Sequence, residues 1–193
     1  MKFDIILAGV GGQGVLSVSA IIASSAMKEG LAVKQSEVHG MSQRGGAVLA
    51  NLRLADSPIA SDLIPRGTAA MILSMEPIES LRYLEYLSAG GTVISSTNPV
   101  TNIADYPPID DVLARIRSLP RAILIDAETL ARQAGSARAT NMVMVGAASP
   151  LLPVSFETIE HFVETIFAGK GDKVVETNLK ALRAGRAAAA AAR

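Results

Sequence analysis

Phe3-Asp-Ile-Ile-Leu-Ala8, running through Gly9-Val-Gly-Gly-Gln-Gly14 into Val15–Glu29, is the stretch on which the fold turns. Its first part is short, mostly apolar and ended by glycines, the composition of a buried strand. Val15–Glu29 contains neither Gly nor Pro, is rich in Ala, Ser, Ile and Leu, and meets Gly30 where a helix would be stopped by a C′ glycine. Strand, glycine turn and helix together form the opening unit of a layered α/β domain.

Outward from that unit, Leu31–Gln35 reads as a second strand, and Ser36-Glu-Val-His-Gly-Met-Ser-Gln-Arg-Gly-Gly46 as a long polar loop. Ala47–Leu54 alternates, with Val48, Ala50, Leu52 and Leu54 on one face and Asn51 and Arg53 on the other. That pattern predicts a half-buried antiparallel strand near an edge. Asp56–Gly67 is a connection and Ala69–Ser74 a core strand. Glu76-Pro77 starts a helix whose apolar face carries Ile78, Leu81, Leu84 and Leu87. Thr92–Ser95 and Ala122–Ile125 are short strands, separated by the loop Thr97–Pro108 and the helix Asp110–Leu119. Helices are expected over Ala127–Ala134, Thr140–Leu152, Ser155–Phe167 and Val174–Arg193. Ser155 is an N-cap, and Ile159, Phe162, Val163, Ile166 and Phe167 form an apolar stripe behind it. The expected architecture is a Rossmann-like α/β domain with a mostly parallel sheet and a helical C-terminal third. It spans 1–186 and is followed by an alanine-rich tail, 187–193, read as frayed.

Composition removes several classes of function. Eighteen basic residues balance eighteen acidic ones, which counts against nucleic-acid binding through phosphates. Cysteine is absent, so the chain offers no disulfide, no thiolate nucleophile and no ligands for an iron–sulfur cluster. The two histidines, His39 and His161, leave little for a metal site, and none is assigned. Val15–Met27 is salted with serines and too short to span a bilayer, and Asp4 with the glycines spoils a signal peptide. A cytoplasmic protein without membrane attachment is expected.

Gly9, Gly11 and Gly14 satisfy G-x-G-x-x-G, with Gly12 as an extra glycine, after a strand and before a helix. Glycines admit an anion to the backbone, and the N–H groups of the helix start meet it. The same glycines also serve a tight strand-to-helix crossing with no ligand, and the pattern does not choose. Gln13 adds a polar amide at the helix start. Glu37, 23 residues beyond Gly14, sits where an acidic ribose partner is expected. No Gly-Lys-Ser/Thr follows, which excludes an ATP-hydrolysing P-loop. In the second motif Arg44, flanked by glycine, is suited to a phosphate or carboxylate, with Ser42 and Gln43 adding hydrogen-bonding groups; a loop arginine paired with Glu37 is the plainer alternative. His39 reads either as an acid–base group or as a surface hydrogen-bonder, and Glu76 as a helix-start carboxylate. No catalytic dyad is found, and no residue is assigned to bond-making chemistry.

The two motifs in order resemble the gamma-type domain of the pyruvate/2-oxoacid:ferredoxin oxidoreductase family. The wording of the second motif is closer to the small (beta) subunits of its indolepyruvate branch. Met75-Glu-Pro77, Asn141-Met-Val-Met-Val-Gly-Ala147 and Asn178-Leu-Lys-Ala-Leu-Arg-Ala-Gly185 fall where that family carries similar segments, so the resemblance covers all but the alanine tail. It implies a division of labour. A large partner subunit would carry thiamine diphosphate, Mg²⁺ and [4Fe–4S] clusters, and the complex would convert an arylpyruvate and coenzyme A to acyl-CoA and carbon dioxide, passing electrons to ferredoxin. This chain would supply assembly surface, and in related enzymes the domain helps bind coenzyme A. The positions that would make ligand or interface contacts are Gly9, Gly11, Gly12, Gln13, Gly14, Ser42, Gln43 and Arg44. The alternative is a stand-alone dinucleotide-binding protein using Gly9–Gly14 and Glu37.

Overall fold

The computed structural model describes residues 1–40 and 45–192, with His39 described in its backbone only. Six strands form one sheet in the order β2-β3-β1-β4-β5-β6. β1 (Lys2–Val10), β4 (Ala69–Ser74), β5 (Leu87–Ser96) and β6 (Ala122–Ile125) are parallel. β3 (Ala47–Ala55) runs antiparallel to both β1 and the edge strand β2 (Ala32–His39). The mostly parallel α/β sheet expected from the sequence is therefore present.

Helices cover both faces. α1 (Val15–Lys28), α4 (Ala127–Ala134), α5 (Thr140–Ala148), α6 (Phe156–Phe167) and α7 (Asp172–Ala191) pack on one side over Ile5, Leu7, Leu52, Leu73 and Ile94. α2 (Pro77–Arg82) and α3 (Ile109–Arg117) lie on the other, over Ile6, Ile72 and Val93. Burial on both faces explains why the central strands are continuous apolar runs rather than alternating ones.

Several boundaries differ from the sequence expectation, each for a visible reason. The ladder between β2 and β3 continues to His39 opposite Val48, so Ser36–His39 is edge strand rather than loop. β3 is buried on both faces. Arg53 donates to Asp4 through Nε at 2.9 Å and Nη2 at 3.1 Å, and through Nη1 to the carbonyls of Ser61 and Leu63 at 2.9 and 2.7 Å. Asn51 accepts from the Ile64 N–H. The connection after β3 is thus laid over the face that alternation assigned to solvent, and its carbonyls satisfy the buried guanidinium. The helix after Pro77 stops at Arg82. Leu84–Tyr86 is a single 3₁₀ turn, and Leu87 already pairs with Ala69 as the start of β5. α5 tightens into a 3₁₀ turn over Ser149–Leu151, where Pro150 has no N–H to continue it. The alanine stretch is helical: α7 runs unbroken to Ala191, and Ala189 is fully buried.

Candidate functional site

β1 delivers the glycine turn to the C-terminal edge of the parallel strands, at the point where the chain leaves for β2 on one side and later returns as β4 on the other. Such switch points open a crevice. The crevice here is a cavity of about 340 Å³ lined by Val10, Gly11, Gly12, Gly14, Val15 and Leu16 from the turn and α1, and by Glu37, Gly40, Gly46 and Val48 from β2, β3 and the segments flanking them.

The first motif's residues divide by what they do there. Gly9 is buried, and a Cβ on it would meet Val15 Cγ2 at 2.9 Å and Met75 Cβ at 3.1 Å, so it permits strand and helix to approach. Gly11 donates to the Gly46 carbonyl at 2.8 Å and accepts from the Gly45 N–H at 3.2 Å, which zips the first motif to the end of the second. Gly12 has φ +103° with nothing within 4 Å of a Cβ, and it faces the cavity. Gly14, at φ +80°, is the N-cap of α1. Both φ values lie where side chains are strained. Gln13 is committed to the fold: its Oε1 accepts from the Val10 N–H at 2.8 Å and its Nε2 donates to the Met75 carbonyl at 3.1 Å. Ser42, Gln43 and Arg44 lie outside the described residues, as does the side chain of His39.

The start of α1 is uncapped, as are those of α3, α5 and α7, but it alone of these opens on the cavity at the glycine turn. Glu76, Asp126 and Ser155 cap α2, α4 and α6 with side-chain oxygens that accept from N–H groups at 2.9, 3.1 and 3.2 Å. α1 has no side-chain cap and no acid in its first turn. Its first internal bond runs from the Val18 N–H to the Gly14 carbonyl, which leaves the N–H groups of Val15, Leu16 and Ser17 ahead of the ladder. Partial positive charge at the helix end adds to these donors, and the combination suits an anionic group. Glu37 lines the same cavity from β2, at the position read as an acidic ribose partner.

A strap invisible in the sequence supports this arrangement. Glu76 is almost wholly buried, and besides capping α2 it accepts from the Val100 N–H at 3.4 Å and from the Tyr106 hydroxyl. Burial first, and that hydrogen bond second, raise the Tyr106 hydroxyl well above its ordinary range, so it remains a donor. The same loop sends Asn102 Nδ2 to the Gly45 carbonyl. Glu76 thus acts as more than a helix-start carboxylate: through the loop 97–108 it holds Gly45, which holds Gly11. No single-residue signal marks Asn102 or Tyr106, because their partners lie 57 and 30 residues away.

A glycine turn opening onto an uncapped helix at a sheet switch point is the arrangement of the phosphate-binding α/β domains. The chain belongs to the pyruvate ferredoxin/flavodoxin oxidoreductase family, whose profile matches residues 4–188. It is 40% identical to the indolepyruvate oxidoreductase subunit IorB of Archaeoglobus fulgidus over 192 residues, covering 96% of this chain and 94% of that one. Its fold is that of the gamma subunit of a keto/oxoacid ferredoxin oxidoreductase from Geobacter sulfurreducens, with TM-score 0.73 at 24% identity, covering 98% and 99% of the two chains. The 2-oxoglutarate:ferredoxin oxidoreductase of Magnetococcus marinus, solved with 2-oxoglutarate, coenzyme A and succinyl-CoA, shares it with TM-score 0.79 at 24% identity. There this chain matches over 98% of its length but spans only 31% of the longer chain.

Proposed function

We propose that this chain is the small subunit of a 2-oxoacid:ferredoxin oxidoreductase acting on arylpyruvates such as indolepyruvate, and that it contributes backbone contacts to coenzyme A rather than bond-making groups. The observation that carries the coenzyme part is the uncapped start of α1, facing a cavity whose wall at Gly12 is open. Gly12 and the N–H groups of Val15 and Leu16 would receive a phosphate there, with Gly11 holding the turn in place, and apolar Val10, Val15 and Val48 would keep water from the same wall. Decarboxylation and electron transfer would be supplied by thiamine diphosphate and iron–sulfur clusters on a larger, cysteine-bearing partner, since this sequence has no cysteine to hold a cluster. The expected setting is cytoplasmic. Among the described residues no helix is long and apolar enough to cross a membrane.

Purification from the native host should recover a much larger cysteine-rich partner, and deletion of this chain should remove arylpyruvate oxidation. Survival of that activity would refute the subunit reading. For the coenzyme part, Gly12→Val places a branched side chain in the open wall and strains the turn at φ +103°. Calorimetric affinity for coenzyme A should fall at least roughly tenfold, while the circular dichroism spectrum is retained. A second reading, dinucleotide binding, is favoured by one observation: Glu37 lines the cavity as a ribose partner would. Tight NAD binding that Glu37→Ala weakens, with no coenzyme A binding, would establish it instead.

A further inference from the structure

A second cleft, larger than the cavity at the glycine turn, lies behind the first turn of α1. It measures about 470 Å³ and is bounded by the turn Gly135–Ala139, the start of α5 and the junction of α6 with α7. Arg138, Lys170 and Lys173 line it, and no carboxylate does. Several cations elsewhere are committed to carboxylates: Arg82 to Glu79, Arg132 to Glu128, Lys180 to Glu176, Arg183 to Glu160. Among the described residues, none of the three cleft cations has an ion-pair partner. Lys170 Nζ lies 5.1 Å from the centroid of the Phe167 ring, which places the ammonium against the cleft wall. In a chain with no net charge, three positive groups lining one cleft are a marked segregation.

The remaining lining suits a compact anion. Ser17, Ser136 and Thr177 offer hydroxyls, and Asn141 an amide. Arginine presents a planar fork to paired oxygens and lysine a mobile point charge, the two modes by which proteins hold phosphate. The cleft is distinct from the glycine turn, although Asn141 adjoins both: a Cβ on Gly14 would fall 2.6 Å from Asn141 Nδ2.

We propose that the cleft between Gly135–Asn141 and the α6–α7 junction is a phosphate-binding site, for phosphate either free or carried on an organic ligand. Concavity favours this over an acidic protein segment, which would need a broad basic face rather than cations gathered around hydroxyls.

The test titrates the full chain with inorganic phosphate at constant ionic strength, chloride being exchanged out, with binding followed by backbone amide shifts. Saturable shifts are expected at Ser136, Asn141 and Thr177. Arg138→Gln and Lys173→Gln should each weaken phosphate binding about tenfold, and the double variant carrying both should weaken it further. Both side chains are exposed, so unfolding temperatures without ligand should not move. Coenzyme A and its 3′-dephospho form separate the sources. Loss of any preference for coenzyme A in the double variant assigns the phosphate to a ligand also held at the glycine turn. Weakened inorganic phosphate binding with unchanged coenzyme affinities assigns it to free phosphate. Unsaturable shifts, an unchanged affinity in the double variant, or displacement by chloride alone would overturn the site, as would binding only of an acidic peptide. A chain that binds phosphate here but no coenzyme A keeps this site while sinking the coenzyme reading.

Discussion

Two glycine-bearing regions of this molecule use the same residue for opposite reasons. Where α5 crosses α7, a Cβ on Gly146 would fall 1.9 Å from the Leu182 carbonyl oxygen, and one on Gly185 would fall 1.9 Å from that of Val143. The missing side chains there are replaced by the backbone of the opposite helix, and the two helices press together along their length. At the glycine turn, a Cβ on Gly12 would meet nothing within 4 Å. That volume is kept open. A glycine motif therefore gains meaning from what fills the space of the absent side chain: protein already present marks packing, and emptiness beside unpaired donors that face a cavity leaves room for another molecule. Gly9, hemmed in by Val15 and Met75, falls on the packing side although it lies inside the turn's own motif.

The largest expected effect breaks the packing half of this contrast. Gly185→Ala gains helix propensity of about 1 kcal/mol. The new methyl group, however, collides with backbone that cannot rotate away, so α5 and α7 must part. Overpacking costs roughly 1–3 kcal/mol, occasionally more, and a collision with main chain belongs at or above the top of that range. Net destabilisation is therefore expected for Gly185→Ala and for Gly146→Ala by urea unfolding, while Gly90→Ala, with open space around it, should change stability by less than about 0.5 kcal/mol. Equal behaviour of the three variants would erase the distinction.

Gln13 gives the next effect and sharpens the boundary between the regions. It belongs to the turn by sequence and to the core by its bonds. Gln13→Ala leaves the Val10 N–H and the Met75 carbonyl without their partner, a loss of roughly 1–3 kcal/mol by urea unfolding. Weaker ligand binding should follow only as a consequence of the loosened turn. An unchanged unfolding midpoint together with abolished coenzyme affinity would move Gln13 to the ligand-facing side.

Much of this was open to sequence reading where one physical demand acts alone. Phe3–Ala8, Ala69–Ser74 and Ala122–Ile125 are covered on both faces, so burial writes an apolar run directly into them. Ser155 and the buried pair Ile159 and Val163 likewise announce α6. Reading failed where partners lie far along the chain. Ser36–His39 is polar because it is an edge, yet its backbone is ladder; Arg53 is polar yet buried because Asp4 and a distant loop satisfy it. The alanines after 186 look like filler, but small residues are what close helix packing on this face requires, and Ala189 is buried by it. Glycines 9, 11, 12 and 14 were legible as a motif, whereas their division into packing, zipping and open positions depends on Met75, Gly45 and Gly46, which only the fold brings near.

The smallest effect concerns the other end of α1, which is clamped where its start is open. Glu29, the residue after α1, accepts from the Ser155 hydroxyl at 2.7 Å and from the Ser155 N–H at 2.9 Å, tying α1 to the cap of α6. The Ser155 hydroxyl first, then Thr158 and the Ser155 N–H, hold the Glu29 carboxyl below its ordinary value of 4.5. A carboxyl depressed in the folded state contributes stability that is fully present above its unfolded value. That contribution is lost as pH falls through the folded value. Glu29 is exposed, so solvent screens most of it and the contribution is small. In Glu29→Gln the unfolding temperature should therefore lie slightly below that of the parent chain near pH 7, and the two should converge as acid is added below about pH 4. Coenzyme affinity should not change, because the clamp fixes the end of α1 remote from the glycine turn. A parallel loss of affinity would mean that the open start depends on the clamped end, and that the two regions are one mechanical unit.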